Sequence, residues 1–132
     1  MKTNLDKLFK TNEELEKSGI LVVLSDTLEF NLKRFGGKNS TPVRAAYAKY
    51  HKPFARQIEM GTFDKDKERE ILVKIFVDSC LTGWKGVEID GALVEFNRDS
   101  AISLLVALPE LFETLFEQAS KVDNFKEDLG NS

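Results

Sequence analysis

Apolar positions recur at helical spacing through most of the chain and change to strict alternation in two places. The broadest pattern follows Asp64. Leu72, Val73, Ile75, Phe76, Val77, Ser79 and Cys80 cover well over half of a helical wheel, while Glu70, Lys74 and Asp78 share one narrow strip. A surface helix needs an apolar stripe of only about 100°, so this helix is predicted to be covered on several sides. Gly83 is predicted to end it in a left-handed turn, with Trp84 packed inside directly after it.

Ahead of that centre, residues 4–17 read as one or two short helices, with Asn12 as an N-cap and Ser18-Gly19 as the stop. Ile20-Leu21-Val22-Val23-Leu24, a break at Ser25-Asp26-Thr27, and the alternation from Leu28 to Phe35 predict a β-hairpin that leaves through Gly36-Gly37. Ser40-Thr41-Pro42 predicts a helix start with a hydroxyl cap and proline in the first turn. Val43, Ala46, Tyr47, Tyr50, Phe54 and Ile58 then form one stripe, with Lys49, Lys52 and Arg56 opposite. Pro53 lacks a backbone donor and crowds the preceding turn, which predicts a break near His51 and a second helical piece ending at Gly61.

Beyond the centre, Val87–Ile89 and Ala92–Phe96 flank Asp90-Gly91, a two-residue hairpin signal. Asn97 is placed to cap a helix carrying Ala101, Ile102, Leu104, Leu105 and Leu108. Pro109 opens another, in which Leu111, Phe112, Leu115, Phe116, Ala119 and Val122 repeat at near-heptad spacing. The fold class is therefore α+β and predominantly α-helical, a helical domain with one or two short β-hairpins. One domain is predicted over 1–132. It has an N-terminal helical segment and hairpin at 1–36, a helical core with the second hairpin at 40–125, and a loose tail at 126–132.

Composition changes this picture little. With 132 residues, 42 % apolar and 31 % charged, the chain can bury one core, and no apolar run approaches the roughly 20 residues that span a bilayer. The first residues lack the apolar stretch of a secretory signal, and a single cysteine forms no internal disulfide, so a cytoplasmic location is expected. The net charge of −3 is unevenly distributed: Lys33 to Arg56 holds seven basic residues and no acid, while Glu110 to Ser132 holds six acids and two lysines. Such asymmetry can steer association with partners or with other copies of the chain. A head-to-tail homo-oligomer is one expectation.

Candidate chemistry is sparse. His51 has no neighbouring cysteine or clustered carboxylates to make a metal site, and Cys80 falls on an apolar face of a different element. Gly36-Gly37-Lys38 lacks the earlier glycine of a phosphate-binding loop, which would fall at Leu32, and Asn39 stands where Ser or Thr is needed. Asp64-Lys65-Asp66 opens like a calcium loop but has Arg69 at the glycine position. An acidic helix N-terminus accounts for it. No catalytic residue, cofactor or metal is predicted, and the chain is not expected to be an enzyme. The basic span 33–56, with Tyr47, Tyr50 and Phe54 interleaved, is the one nucleic-acid signal. Its aromatics fall away from Lys49, Lys52 and Arg56, which speaks against a stacking platform, so neither nucleic acid nor membrane is an expected partner.

A series of short stretches carries a resemblance. Leu5–Thr11, Glu14–Ile20, Arg34-Phe35-Gly36-Gly37, Gln57–Thr62 and Leu81–Val87 come first. Phe96–Ala101, Leu108-Pro109-Glu110-Leu111-Phe112 and Glu117-Gln118-Ala119-Ser120 complete it. In this order, over nearly the whole chain, they resemble the tail assembly chaperones of long-tailed bacteriophages and prophages. The resemblance implies a non-catalytic protein that binds the long helical tape-measure protein, keeps it soluble and assists tail tube assembly, with the tube protein as a further partner. The family has no catalytic motif to carry over. Glu88-Ile89-Asp90-Gly91 departs from it in being a shorter, less acidic turn.

A holdase for amphipathic helices needs an apolar surface rimmed by charge. Leu111, Phe112, Leu115, Phe116 and Ala119 are the candidate apolar contacts, and Arg44, Lys49, Lys52 and Arg56 the candidate charged ones. The same apolar stripe can instead close the domain's own core. Two other readings remain: a structural tail or head–tail component retained in the virion, and a nucleic-acid-binding protein using 33–56.

Overall fold

Helix α5, Lys65–Ser79, occupies the middle of the molecule. The computed structural model describes residues 2–126. Asp64 starts α5 by accepting hydrogen bonds from the Asp66 and Lys67 amides at 2.8 and 3.0 Å, which is the capping role an acidic N-terminus predicts. Ile71, Val73, Ile75, Phe76, Val77 and Ser79 are all buried. Helix α3, Ser40–Tyr50, packs along one side and α6, Arg98–Ala107, along another. Helix α7, Pro109–Ser120, adds Phe112 and Phe116, whose rings lie 5.5 and 6.0 Å from that of Phe76. From α5, Arg69 reaches across to donate to the Leu105 and Val106 carbonyls at 2.8 and 2.6 Å. These are last-turn carbonyls of α6, where a cation is favoured.

The predicted turn at Gly83 is not found. Helix α5 ends at Ser79, and Leu81–Lys85 is a strand, β3. The hairpin of β1, Ile20–Ser25, and β2, Leu28–Leu32, leaves one side of β2 open. Strand β3 fills it to give the antiparallel order β1-β2-β3. Glu29 pairs with Lys85, Phe30 with Trp84, Asn31 with Gly83 and Leu32 with Leu81, and the Lys33 amide donates to the Cys80 carbonyl at 2.8 Å. The ladder on β2 pairs the backbone groups of Leu81–Lys85 that leave the helix. The left-handed residue is Gly86 instead, with φ 84°. Trp84 is half-buried rather than enclosed. Its ring meets Phe30 and Phe96 edge-on at 6.2 and 5.1 Å, and Nε1 donates to the Val94 carbonyl at 2.8 Å.

The short hairpin of β4, Glu88–Ile89, and β5, Ala92–Leu93, turns on Asp90 and Gly91 with φ of 53° and 80°. Two successive positive values match the twist of a tight hairpin. Asn97 caps α6 by accepting from the Ser100 amide, and Pro109 opens α7, both as predicted. Val122 lies beyond α7 in a 3-10 turn, because α7 stops at Ser120 and Asn124 donates back to the Gln118 carbonyl.

Around Pro53 the break also matches expectation. Helix α3 ends at Tyr50, a 3-10 turn covers Lys52–Phe54, and α4, Ala55–Glu59, stops before Gly61. Ser40 does not act as a cap: a 3-10 turn at Gly37–Asn39 runs directly into α3 without a side-chain cap. Asn39 is occupied elsewhere. Its Nδ2 donates to the Arg34 and Ser79 carbonyls at 2.6 and 3.0 Å, tying the end of α5 to the loop after β2.

The two N-terminal helices are α1, Asp6–Phe9, and α2, Glu13–Ser18, the second capped by Asn12. They meet the far end of the chain, since the Asn12 amide donates to the Phe125 carbonyl at 2.7 Å and Thr11 forms a β-bridge with Lys126. Phe125 is fully buried. Lys126 is thus held by pairing. The rest of the predicted loose tail, 127–132, lies outside the described residues.

Two substitutions test this account. A Cβ at Gly86 would come within 1.7 Å of the Thr27 carbonyl oxygen on top of an unfavourable φ, whereas at Gly91 it would meet open space. Gly86→Ala should therefore cost at least about 3 kcal/mol and Gly91→Ala about 1 kcal/mol, compared by chemical denaturation. Trp84→Ala should cost about 2–3 kcal/mol, below the roughly 3–5 kcal/mol of a fully buried aromatic.

Candidate partner-binding surface

Helix α7 divides its apolar side chains between two tasks. Phe112, Leu115 and Ala119 are buried against the core, so their area is used within the domain. Leu111 and Phe116 are half-buried. Phe116 packs 4.8 Å from Phe35, which in turn lies 6.5 Å from Tyr47 of α3. Leu111 faces an open groove at the corner where α6 passes into α7. This groove of ≈ 610 Å³ is lined by Leu108, Pro109, Glu110, Leu111 and Glu113. Leu108 is 49 % exposed, so the groove brings an exposed apolar side chain together with two carboxylates. Arg69, bonded to α6's last carbonyls, braces the corner from behind.

The basic candidates stand elsewhere. Arg44, Lys49, Lys52 and Arg56 are all exposed along α3, the 3-10 turn and α4. Arg44 donates to Thr41 Oγ1 at 3.3 Å, and Lys49 Nζ lies 5.1 Å from the Tyr50 ring centre. All four are solvated, and none of them lines the groove beside α7. The interleaved aromatics turn inward or sideways. Tyr47 packs on Phe35 and His51, and Phe54 lies 4.9 Å from Phe63.

Tyr50 belongs to a cluster that periodicity does not reveal. Its hydroxyl donates to Asp78 Oδ2, while Arg98 Nε donates to Asp78 Oδ1 at 2.6 Å and an Arg98 terminal nitrogen donates to the Tyr50 oxygen at 2.7 Å. One residue each from α3, α5 and α6 is thereby joined. Partial burial opposes the charge on Asp78, but hydrogen bonds from Arg98 and Tyr50 and the Arg98 charge outweigh it and hold the carboxyl below its ordinary range. Asp78 lies in the predicted polar strip of α5. Nothing in the spacing places Arg98 and Tyr50 beside it.

A second polar cluster joins α2 to the loop after β2. Glu16 is buried, and its Oε1 accepts from Arg34 and from Thr11 Oγ1, each at 2.7 Å. Its Oε2 has no donor. A cavity of ≈ 400 Å³ lined by Glu13, Glu16, Lys17, Lys33 and Asn39 adjoins it.

Neither His51 nor Cys80 is placed for a reaction with the other. His51 is half-buried with its ring 5.5 Å from that of Tyr47. Cys80 is 1 % exposed, and burial pushes its thiol up to about 11 against weaker opposing bonds from Ser79 and Asn39. It is a protonated core side chain at neutral pH. Among the described residues, no three His, Cys, Asp or Glu side chains are grouped as a metal ion would need, and no helix is long and apolar enough to cross a membrane.

With this geometry in view, comparison with protein families matches the model of the YdaY prophage protein to residues 38–130, more than two thirds of the chain. The chain belongs to the YdaY prophage protein family. It is thus a phage-related protein, as the resemblance implies at its coarser level. The YdaY match takes in α3 to α7 with β3, β4 and β5, and begins after β2. Comparison with curated proteins and with solved structures gives no match.

The Asp78 cluster makes a pH-dependent prediction. A carboxyl held below its ordinary 3.8 means that the folded state binds fewer protons than the unfolded state in that range. The resulting stability is present above about pH 3.8 and is lost as pH falls through the lower folded value. Because the pair is partly solvated, Asp78→Asn should cost only about 0.5–1 kcal/mol at neutral pH. It should also flatten the acid limb of a stability–pH curve measured by denaturation. Cys80 should resist thiol reagents until the protein unfolds, read as the labelling rate with and without denaturant.

Proposed function

We propose that this prophage protein is a tail assembly chaperone: a non-catalytic protein of the host cell cytoplasm that binds the tape-measure protein, keeps it soluble and assists tail tube assembly. The observation that carries the reading is the groove at the α6–α7 corner, which combines an exposed Leu108 and a half-buried Leu111 with Glu110 and Glu113 in a phage-related protein. A tape-measure protein is long and helical with an apolar side, and it aggregates unless that side is covered. An amphipathic helix laid into an apolar groove is a standard way to cover it, with anchors one helical turn apart. Acidic rims favour a segment whose apolar stripe is bordered by Lys or Arg. The ordered series of stretches from Leu5 to Ser120 that resembles tail assembly chaperones supports the same reading.

The groove also explains how one helix can serve core and partner. Phe112, Leu115 and Ala119 hold α7 in place, while Leu108 just before it is exposed and Leu111 in its first turn is half-buried. The outward basic side chains Arg44, Lys49, Lys52 and Arg56 stand on another face. In this reading they meet acidic segments of the tape-measure protein or of tube subunits.

Co-expression with the tape-measure protein of the same prophage tests the proposal. The wild-type chain should raise its soluble fraction and co-purify with it. Leu108→Lys combined with Glu113→Lys should lower the recovered complex at least tenfold, with an unchanged melting temperature. A tape-measure protein that stays insoluble and unbound beside the wild-type chain would overturn the reading. Mass spectrometry of purified particles should find the chain depleted relative to tube protein. Stoichiometric retention would favour a structural tail component instead.

A further inference from the structure

Charge of a single sign runs along the exposed side of two helices. From Ser40 to Tyr50, α3 holds Arg44 and Lys49 and no acid, and Lys52 follows in the adjoining 3-10 turn. From Pro109 to Ser120, α7 holds Glu110, Glu113 and Glu117 and no base. All six of these side chains are exposed, while Val43 and Ala46 of α3 and Phe112, Leu115 and Ala119 of α7 turn to the core. Ala45 and Ala48 are also exposed and lie between Arg44 and Lys49 on α3, so a second helix can come close there. Other exposed helices mix their signs: α5 opens with Lys65, Asp66, Lys67 and Glu68 in succession, and Lys17 follows the acids of α2.

Within the folded chain the two faces do not neutralise each other. Arg44 donates to Thr41 of its own helix, Lys49 lies over the Tyr50 ring, and Glu117 pairs with Lys121 at 3.2 Å. Among the described residues no ion pair joins α3 or Lys52 to α7.

We propose that the outer face of α3 docks on the outer face of α7 of a second copy of this chain. At helical rise the cations from Arg44 to Lys52 span about 12 Å and the carboxylates from Glu110 to Glu117 about 10 Å, so three charges meet three over matching lengths. Opposite potentials steer the encounter. Exposed pairs are individually weak and are screened by salt, so the assembly grows with concentration and dissolves in salt. The faces are unlike, which makes the contact heterologous: it repeats into a ring or an open chain. It requires nothing but the chain itself and is therefore independent of the chaperone reading. Glu110 and Glu113 also line the α6–α7 groove, so a helix bound there, or an acidic segment bound on α3, competes with the second copy.

Sedimentation of the purified full chain at about 0.01 M and 1 M salt, where charges are screened over about 30 and 3 Å, tests the contact. At low salt, wild type should exceed one chain mass as concentration rises, and at high salt it should return to one. Arg44→Glu/Lys49→Glu and Glu113→Lys/Glu117→Lys chains should each stay at one mass with an unchanged circular dichroism spectrum. Mixed in equal amounts the two variants should associate again, because each reversed face then meets its opposite on the other chain. A wild type at one mass in both salts, an assembly indifferent to salt, or a mixture that fails to recover would overturn the proposal. So would a wild type at one mass that retains a single-stranded oligonucleotide and loses it on Arg44→Glu/Lys49→Glu, which assigns the basic face to nucleic acid.

Discussion

The burial of α5 is the constraint on which the other elements depend. Its apolar positions are too many for one neighbour, so α3, α6 and α7 each take a share. Ile71 and Ile75 meet Ala46 of α3, and Phe76 receives Phe112 and Phe116 of α7. Removing surface from water is the main favourable term in folding, and here one helix supplies several independent apolar contacts. Polar contacts then set the geometry. Arg69 fixes the end of α6, the Asp78–Arg98–Tyr50 cluster joins three helices at their solvent edge, and Asn39 holds the end of α5 against the loop from the sheet.

Placing Cys80 and Leu81 immediately after α5 also controls the sheet. Because the helix ends beside β2, the next residues meet an open strand edge and pair with it. That closes one side of β2 and leaves β1 as an outer strand. Thus the same junction that completes the core also determines which apolar strand faces outward. The cost of an open apolar edge is tolerated in few soluble proteins unless something covers it.

The two outward apolar features belong to different regions. The α6–α7 groove lies within the span shared with the YdaY prophage protein, whereas β1 lies ahead of it. Cys80 is buried and protonated, and His51 packs on Tyr47.

Local chemistry in the sequence determined most of the helices and turns. Asn12, Asp64 and Asn97 cap helices because each presents a short side-chain acceptor to free amides. Pro53 breaks α3 and Asp90-Gly91 turns the small hairpin for equally local reasons. Tertiary structure alone decided three matters. Leu81–Lys85 became a strand because β2 offered partners that no local window contains. Asn39 directs its side chain to the Arg34 and Ser79 carbonyls, the second far away in sequence, and the start of α3 has no side-chain cap. And the α7 stripe, uniform in sequence, separated into buried Phe112, Leu115 and Ala119, half-buried Leu111 and Phe116, and a Val122 that lies beyond the helix. Periodicity shows that a face is apolar, but only the packing of neighbours shows how much of that face remains uncovered.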